Sequence, residues 1–162
     1  MEFKKFSYKC LEDVNKDIEK MGLNLQLSDK LDVLKQPVSI GEMQIPNSLV
    51  FHPMEGCDGE MNGSPSPLVE RRYRRFAAGG AGLIWFEAVA VKREGRAYPR
   101  QLWINDTNVS DFARLLDIMK ETAKEKFGED YKPVILMQLT HSGRFSKPDF
   151  VYHAEDDEFE CP

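Results

Sequence analysis

The spacing of apolar residues changes along the chain, and each spacing predicts an element. Leu11, Val14, Ile18 and Met21 recur at helical intervals, with charges between them. This predicts an amphipathic helix over residues 10–21, stopped at Gly22. Residues 29–35 predict a second short helical turn, ended before Pro37. Val38 and Ile40, then Met43 and Ile45, alternate on either side of Gly41-Glu42. That alternation predicts a small hairpin with a glycine turn, too short to form a core and suited to capping something larger.

One pattern then repeats. Ser48-Leu49-Val50-Phe51, Gly82-Leu83-Ile84-Trp85-Phe86 and Pro133-Val134-Ile135-Leu136-Met137 are short apolar runs. Between the first two lies a helical stretch, 68–80, opened by Ser64-Pro65-Ser66-Pro67 and closed by glycine. Proline is tolerated in a first helical turn, so the opening is a helix start. Between the second and third lies a stretch at 108–126 with Val109, Phe112, Leu115, Leu116, Met119 and Ala123 on one stripe. The order is β-α-β-α-β. The three runs lack polar alternation, as strands do when helices cover a parallel sheet. Each gap holds a helix long enough for a parallel crossover, so the predicted class is α/β.

The polar residues cluster at the ends of these runs. The first is followed by His52-Pro53-Met54-Glu55-Gly56, the second by Glu87-Ala88, and the third by Gln138, then Thr140-His141-Ser142-Gly143-Arg144. Ligands of α/β sheets and barrels bind at the carboxyl ends of strands. Gln138, closing an apolar run, reads as a buried amide that must be hydrogen-bonded and offers both a donor and an acceptor. That pairing suits the edge of a heterocycle with alternating C=O and N–H groups. His141 and Arg144 have two readings: a pair facing the substrate, or a loop tied together by the guanidinium fork. His52 at a strand end reads as structural.

Composition narrows the class. With 162 residues, 41% of them hydrophobic and 30% charged, the chain reads as globular and as one domain or part of a larger one. A formal net charge of −5 argues against a nucleic-acid binder. Arg71, Arg72, Arg74 and Arg75 on the 68–80 helix read as a solvated face paired to acids. No apolar run approaches the roughly 20 residues of a membrane span. The start, MEFKKFSYKCLEDV, does not read as a secretory leader, so the expected location is cytoplasmic. Cys10, Cys57 and Cys161 form no CxxC pair, and no metal site is expected. Asp58 beside Cys57 argues against an activated thiol. Gly79, Gly80 and Gly82 precede a strand, which excludes a Rossmann phosphate loop. The acidic stretch Glu155-Asp156-Asp157-Glu158 reads as a frayed end.

Taken with their motifs, these residues resemble a known family. Asn47-Ser48-Leu49-Val50-Phe51-His52-Pro53-Met54 is similar to the first barrel strand of the old yellow enzyme family of FMN-dependent NADH:flavin oxidoreductases, ene-reductases and 2,4-dienoyl-CoA reductases. Tyr73 to Ile84, Glu87-Ala88 with Gly95-Arg96 and Pro99, and Gln138-Leu139-Thr140-His141-Ser142-Gly143-Arg144 resemble its later segments in the same order. Pro53-Met54-Glu55-Gly56-Cys57-Asp58-Gly59 looks most like the NADH:flavin oxidoreductases of anaerobes.

The resemblance implies a partial TIM (β/α)8 barrel made of about the first three strands. Residues 1–37 would be a helical extension, 38–148 the barrel portion and 149–162 an acidic tail. It implies FMN as cofactor, with NADH or NADPH as reductant, and hydride transfer through the flavin to an activated alkene. Pro53, Met54 and Glu55 would lie along the flavin, Ala88 where a small residue lets the ring approach, and Gln138 at its pyrimidine edge. His141 and Arg144 would lie on the substrate side. Glu55 departs from the Thr or Cys of many relatives, and a carboxylate there would disfavour an anionic reduced flavin. A whole barrel needs about 250 residues. The segment carrying the substrate-binding His pair, the proton-donating Tyr and the phosphate loops of relatives has no counterpart here. The chain therefore reads as an N-terminal fragment, inactive alone, whose open sheet edge self-associates or takes a complementing C-terminal polypeptide. The alternative is a non-catalytic remnant or interaction module that keeps the βαβ scaffold without flavin.

Overall fold

The structure is a computed structural model describing residues 5–153 and 158–160. The chain divides into two compact units, Met1–Val33 and Leu34–Pro162.

The first unit holds helix α1, Leu11–Lys20, with Glu12 and Asp13 in its first turn and Lys20 in its last, a charge order that complements the helix dipole. Tyr8 donates a hydrogen bond to Asp17 Oδ2 at 2.7 Å. No residue of α1 is buried. A 3-10 turn, Asp32–Lys35, stands where a short helical turn is expected.

The second unit opens with a hairpin, β1 (Val38–Ile40) and β2 (Met43–Ile45), paired antiparallel. Gly41 takes a φ of 59° at its turn, a conformation only glycine adopts freely. Three parallel strands follow: β3 (Val50–Phe51), β4 (Leu83–Ala90) and β5 (Val134–Thr140), in the order β3-β4-β5. Helix α2, Pro67–Ala78, joins β3 to β4, and α3, Val109–Phe127, joins β4 to β5. Ser66 caps α2 by accepting from the Leu68 and Val69 amides, with Pro67 in the first turn. At the amino ends of the strands Asn47 accepts from Gly82 N–H at 2.8 Å and donates to Gly80 O at 2.8 Å. One side chain thus sets where β3 and β4 begin.

The core lies between one sheet face and the two helices. Val69, Tyr73 and Ala77 of α2 and Phe112, Leu115, Met119 and Ala123 of α3 enclose Ile84, Phe86 and Val89 of β4. The alternation of a strand sends Trp85 to the opposite face, where it is exposed. Register slips between Phe86 and Ala88. The bulged residue, Glu87, leaves its amide without a ladder partner, and it donates instead to Tyr73 Oη at 2.7 Å.

Three expectations change. The first strand is shorter than its apolar run, because only Val50 and Phe51 pair with β4. The second is longer, reaching Ala90 through the bulge. The segment read as an acidic tail holds two strands, β6 (Val151–His153) and β7 (Glu158–Glu160), paired antiparallel. Glu155, Asp156, Asp157 and Cys161 lie outside the described residues. Among the described residues no helix is long and apolar enough to cross a membrane.

Candidate functional site

The polar residues flagged in the sequence gather at the carboxyl ends of β3, β4 and β5. Ala88 and Gln138 are register partners. Val89, the next residue of β4, belongs to the core on the helix side, so Ala88 and Gln138 occupy the opposite face. Ala88 is buried, and its carbonyl accepts from Gln101 Nε2 at 3.3 Å. Gln101 is itself buried, with its Oε1 taken by Ala97 N–H at 2.6 Å.

Gln138 is not the buried amide expected. Its side chain is exposed and has no hydrogen-bond partner among the described residues. The reason is positional: β5 is the edge of the three-stranded sheet, and Leu136, two residues before Gln138 on the same face, and Trp85, the register partner of Leu136, are exposed as well.

The segment after β3 is pinned to the end of β4. Gly56 N–H donates to Glu87 Oε2 at 3.1 Å. Arg72, reaching from α2, holds Glu87 at 2.6 Å and Asp58 at 2.6 and 3.0 Å. Glu87 is 2% exposed, so this pair fixes a buried charge. Burial works against the Arg72 charge, yet the two carboxylates outweigh it and raise the guanidinium above its usual pKa. Arg72 is therefore not part of a solvated face. Arg74 is, pairing with Glu70 at 2.9 Å.

Pro53 is half-buried, while Met54 and Glu55 are exposed, Met54 at 73%. Glu55 Oε2 accepts from the Tyr98 hydroxyl at 2.6 Å. Burial, then the neighbouring Glu55 carboxylate, pushes the Tyr98 phenol above its ordinary range. Cys57 is exposed and takes a φ of 52°, the one described non-glycine residue in the left-handed region. His52 is exposed and gives its carbonyl to Met54 N–H at 2.8 Å.

His141 and Arg144 part company. His141 Nδ1 accepts from Gly143 N–H at 3.0 Å, closing the loop locally. The Arg144 guanidinium lies 4.8 Å from the Phe145 ring centroid, with no carboxylate and no backbone carbonyl on it among the described residues. It does not tie the loop through its fork.

Sequence reasoning passed over Tyr98 and Gln101 and gave Arg72 and Tyr73 no part in the site. The first two fall inside the stretch read only for Gly95, Arg96 and Pro99. The last two fall on a helix read as a charged face and as part of a family motif. Glu87, an acid at the end of an apolar run, was the one legible signal for the clamp.

The arrangement places three features at the carboxyl ends of the strands. It offers an unengaged amide, a small residue beside it, and a loop, bonded to Glu87 through Gly56 N–H, that carries Met54 and Glu55. Comparison with known proteins bears on the family. Residues 33–162 match the model of the NADH:flavin oxidoreductase / NADH oxidase family. A Bacillus subtilis (strain 168) NADPH dehydrogenase is 33% identical over 112 residues, covering 67% of this chain and 30% of that protein. A metal reductase of Desulforamulus reducens is 30% identical over 117 residues, covering 72% of this chain and 16% of that protein. The old yellow enzyme homologue from Zymomonas mobilis superposes with a TM-score of 0.56 at 22% identity, over 68% of this chain and 28% of its own. The old yellow enzyme from Trypanosoma cruzi gives 0.58 at 20% identity, over 73% and 29%. The chain thus spans about a third or less of the relatives it matches, and shares the fold of the first part of their α/β barrels. It belongs to the NADH:flavin oxidoreductase / NADH oxidase family.

Proposed function

We propose that this chain supplies the first three strands of an FMN-dependent oxidoreductase that uses NADH or NADPH, with an activated alkene as the acceptor. FMN and a nicotinamide reductant are the family's cofactors. The chemistry supplied by a bound FMN is hydride transfer from the nicotinamide to an electron-poor C=C bond. The chain's own residues bind and orient. Gln138 offers a donor and an acceptor to the pyrimidine edge of the ring. Ala88 keeps its approach clear. Pro53, Met54 and Glu55 lie along it, with the Glu55 carboxylate held by Tyr98. Residues 38–148 make up this barrel portion, residues 1–37 an extension and 149–162 a tail. The expected location is the cytoplasm.

The observation that carries the reading is the Ala88–Gln138 register pair beside a loop bonded to Glu87. Alone, the chain holds one side of the site and is inactive. The test is to add FMN to the purified chain, desalt, and record the visible spectrum, with and without the polypeptide corresponding to the rest of a relative's barrel. Flavin retained by the pair, and lost with Gln138→Leu or Ala88→Leu while far-UV circular dichroism is unchanged, supports the reading. Flavin retained by neither sample favours the remnant without flavin.

A further inference from the structure

We propose that the loops after β4 and β5 together form a basic rim that binds the adenosine-pyrophosphate end of a nucleotide, the part shared by a nicotinamide dinucleotide and a coenzyme A thioester. This deepens the preceding reading by saying where such a molecule is anchored, but its measurement needs no flavin.

Charge comes first. Residues 91–100 carry Lys92, Arg93, Arg96 and Arg100 against Glu94 alone. Residues 141–149 carry Arg144 and Lys147 against Asp149 alone. In a chain of net charge −5 these loops are a local reversal of sign.

The two loops are one surface. Val91 N–H donates to Thr140 O at 3.1 Å, Ser142 N–H to Gly95 O at 2.8 Å and Lys147 N–H to Arg96 O at 2.8 Å. Arg93 pairs with Asp149. The His141 ring packs on Gly95 so closely that a Cβ there would lie 2.6 Å from His141 Cδ2. Backbone bonds therefore hold the two loops, and the bases of their cationic side chains, side by side.

The cations are also available. Among the described residues Lys92, Arg100, Arg144 and Lys147 are exposed and have no carboxylate partner. Beneath them Arg96 is 1% exposed. Its guanidinium is held by three carbonyls, those of Pro99 at 2.6 Å, Met61 at 3.0 Å and Arg93 at 3.3 Å. The Trp103 ring, its centroid 5.7 Å from the guanidinium carbon, also packs on it, and the Asp149 carboxylate that pairs with Arg93 acts on its charge as well, so Arg96 is a fixed base to the rim and the exposed cations are the groups left for an anion.

An aromatic surface selects the kind of anion. Phe145 is 67% exposed, with the Arg144 guanidinium against its ring. An exposed aromatic ring beside arginine is the arrangement on which a nucleobase stacks while its phosphates meet the cations. A bare phosphate needs no such ring. Both loops leave the carboxyl ends of β4 and β5, the end that carries Ala88 and Gln138.

The experiment is calorimetric titration of the purified chain with ADP, inorganic pyrophosphate, NADH, NADPH, coenzyme A and a short single-stranded RNA, at low and at moderate salt. ADP is expected to bind, and to bind more weakly as salt rises. The double variant Arg144→Gln/Lys147→Gln should weaken ADP by about two- to fivefold per charge removed. Phe145→Ala should weaken ADP and leave inorganic pyrophosphate unchanged. Arg71→Gln/Arg75→Gln on α2 should leave every affinity as it was. Tighter binding of NADH or NADPH than of coenzyme A assigns the rim to the reductant, and the reverse order assigns it to a thioester. No binding of ADP, equal losses in the α2 control, or RNA bound more tightly than ADP would each overturn the proposal. Flavin retention turns on Gln138 and Ala88, so the two readings fail separately.

Discussion

Tyr73 shows how much one buried hydroxyl can hold. Its ring stacks on Phe86 at 4.0 Å, and its oxygen satisfies the amide freed by the bulge at Glu87. Burial, then the charge of Glu87, keeps the phenol protonated far above its usual range. Tyr73→Phe should keep the stack and orphan the amide, costing about 1–3 kcal/mol in urea unfolding; an unchanged midpoint would show that the bulge has another acceptor. Glu70 gives a prediction in pH. Arg114 and Arg74 hold its carboxyl below the usual carboxylate range in the folded chain. Its contribution is therefore complete above the unfolded pKa and lost as pH falls through the depressed folded value. Both arginines are about half exposed, so the contribution is at most about 1 kcal/mol. Glu70→Gln should flatten the acid limb of the stability profile by that amount and leave mildly alkaline stability lower.

At the scale of elements, the strands depend on close backbone approach. A Cβ at Gly82 would lie 2.5 Å from the Asn47 carbonyl oxygen, and backbone cannot yield as a side-chain tip can. Gly82→Ala should push the start of β4 away from the segment leading into β3, at a cost of about 1–3 kcal/mol. Amide exchange of Leu83, which donates to Leu49 O at 3.2 Å, should quicken with it; unchanged protection there would count against this account. The helices were legible in the sequence almost to their ends, because signals such as Ser66-Pro67 and Gly79 are local and need no tertiary partner. The strands were less so. Val50 and Phe51 pair only where β4 is within reach, and the bulge within β4 has its freed amide and its carboxylate held by Tyr73 and Arg72, both on α2.

For the whole molecule the decisive feature is an unfinished sheet. β5 has no neighbour on its outer side among the described residues, and Leu139 on it is 61% exposed. A groove of about 260 Å³ between α3 and β5, lined by Phe112, Leu116, Ile135 and Met137, opens on the same flank. Exposed edges and apolar patches promote association. The purified chain should therefore sediment as a concentration-dependent mixture, and Leu139→Lys should shift it toward monomer. A monomer at every concentration would remove the need for a partner at this edge.

What the residue order determined by itself is the set of local events: where helices start and stop, the alternation of runs, and the family motifs around Met54, Ala88 and Gln138. Each depends on neighbours a few positions away. What only the tertiary structure decided is how distant residues share a charge or a face. Arg72 bridges a loop and a strand, Tyr98 holds Glu55, and Gln138 stands exposed because its strand is an edge. These depend on which segments meet in space, and no spacing along the chain encodes that meeting.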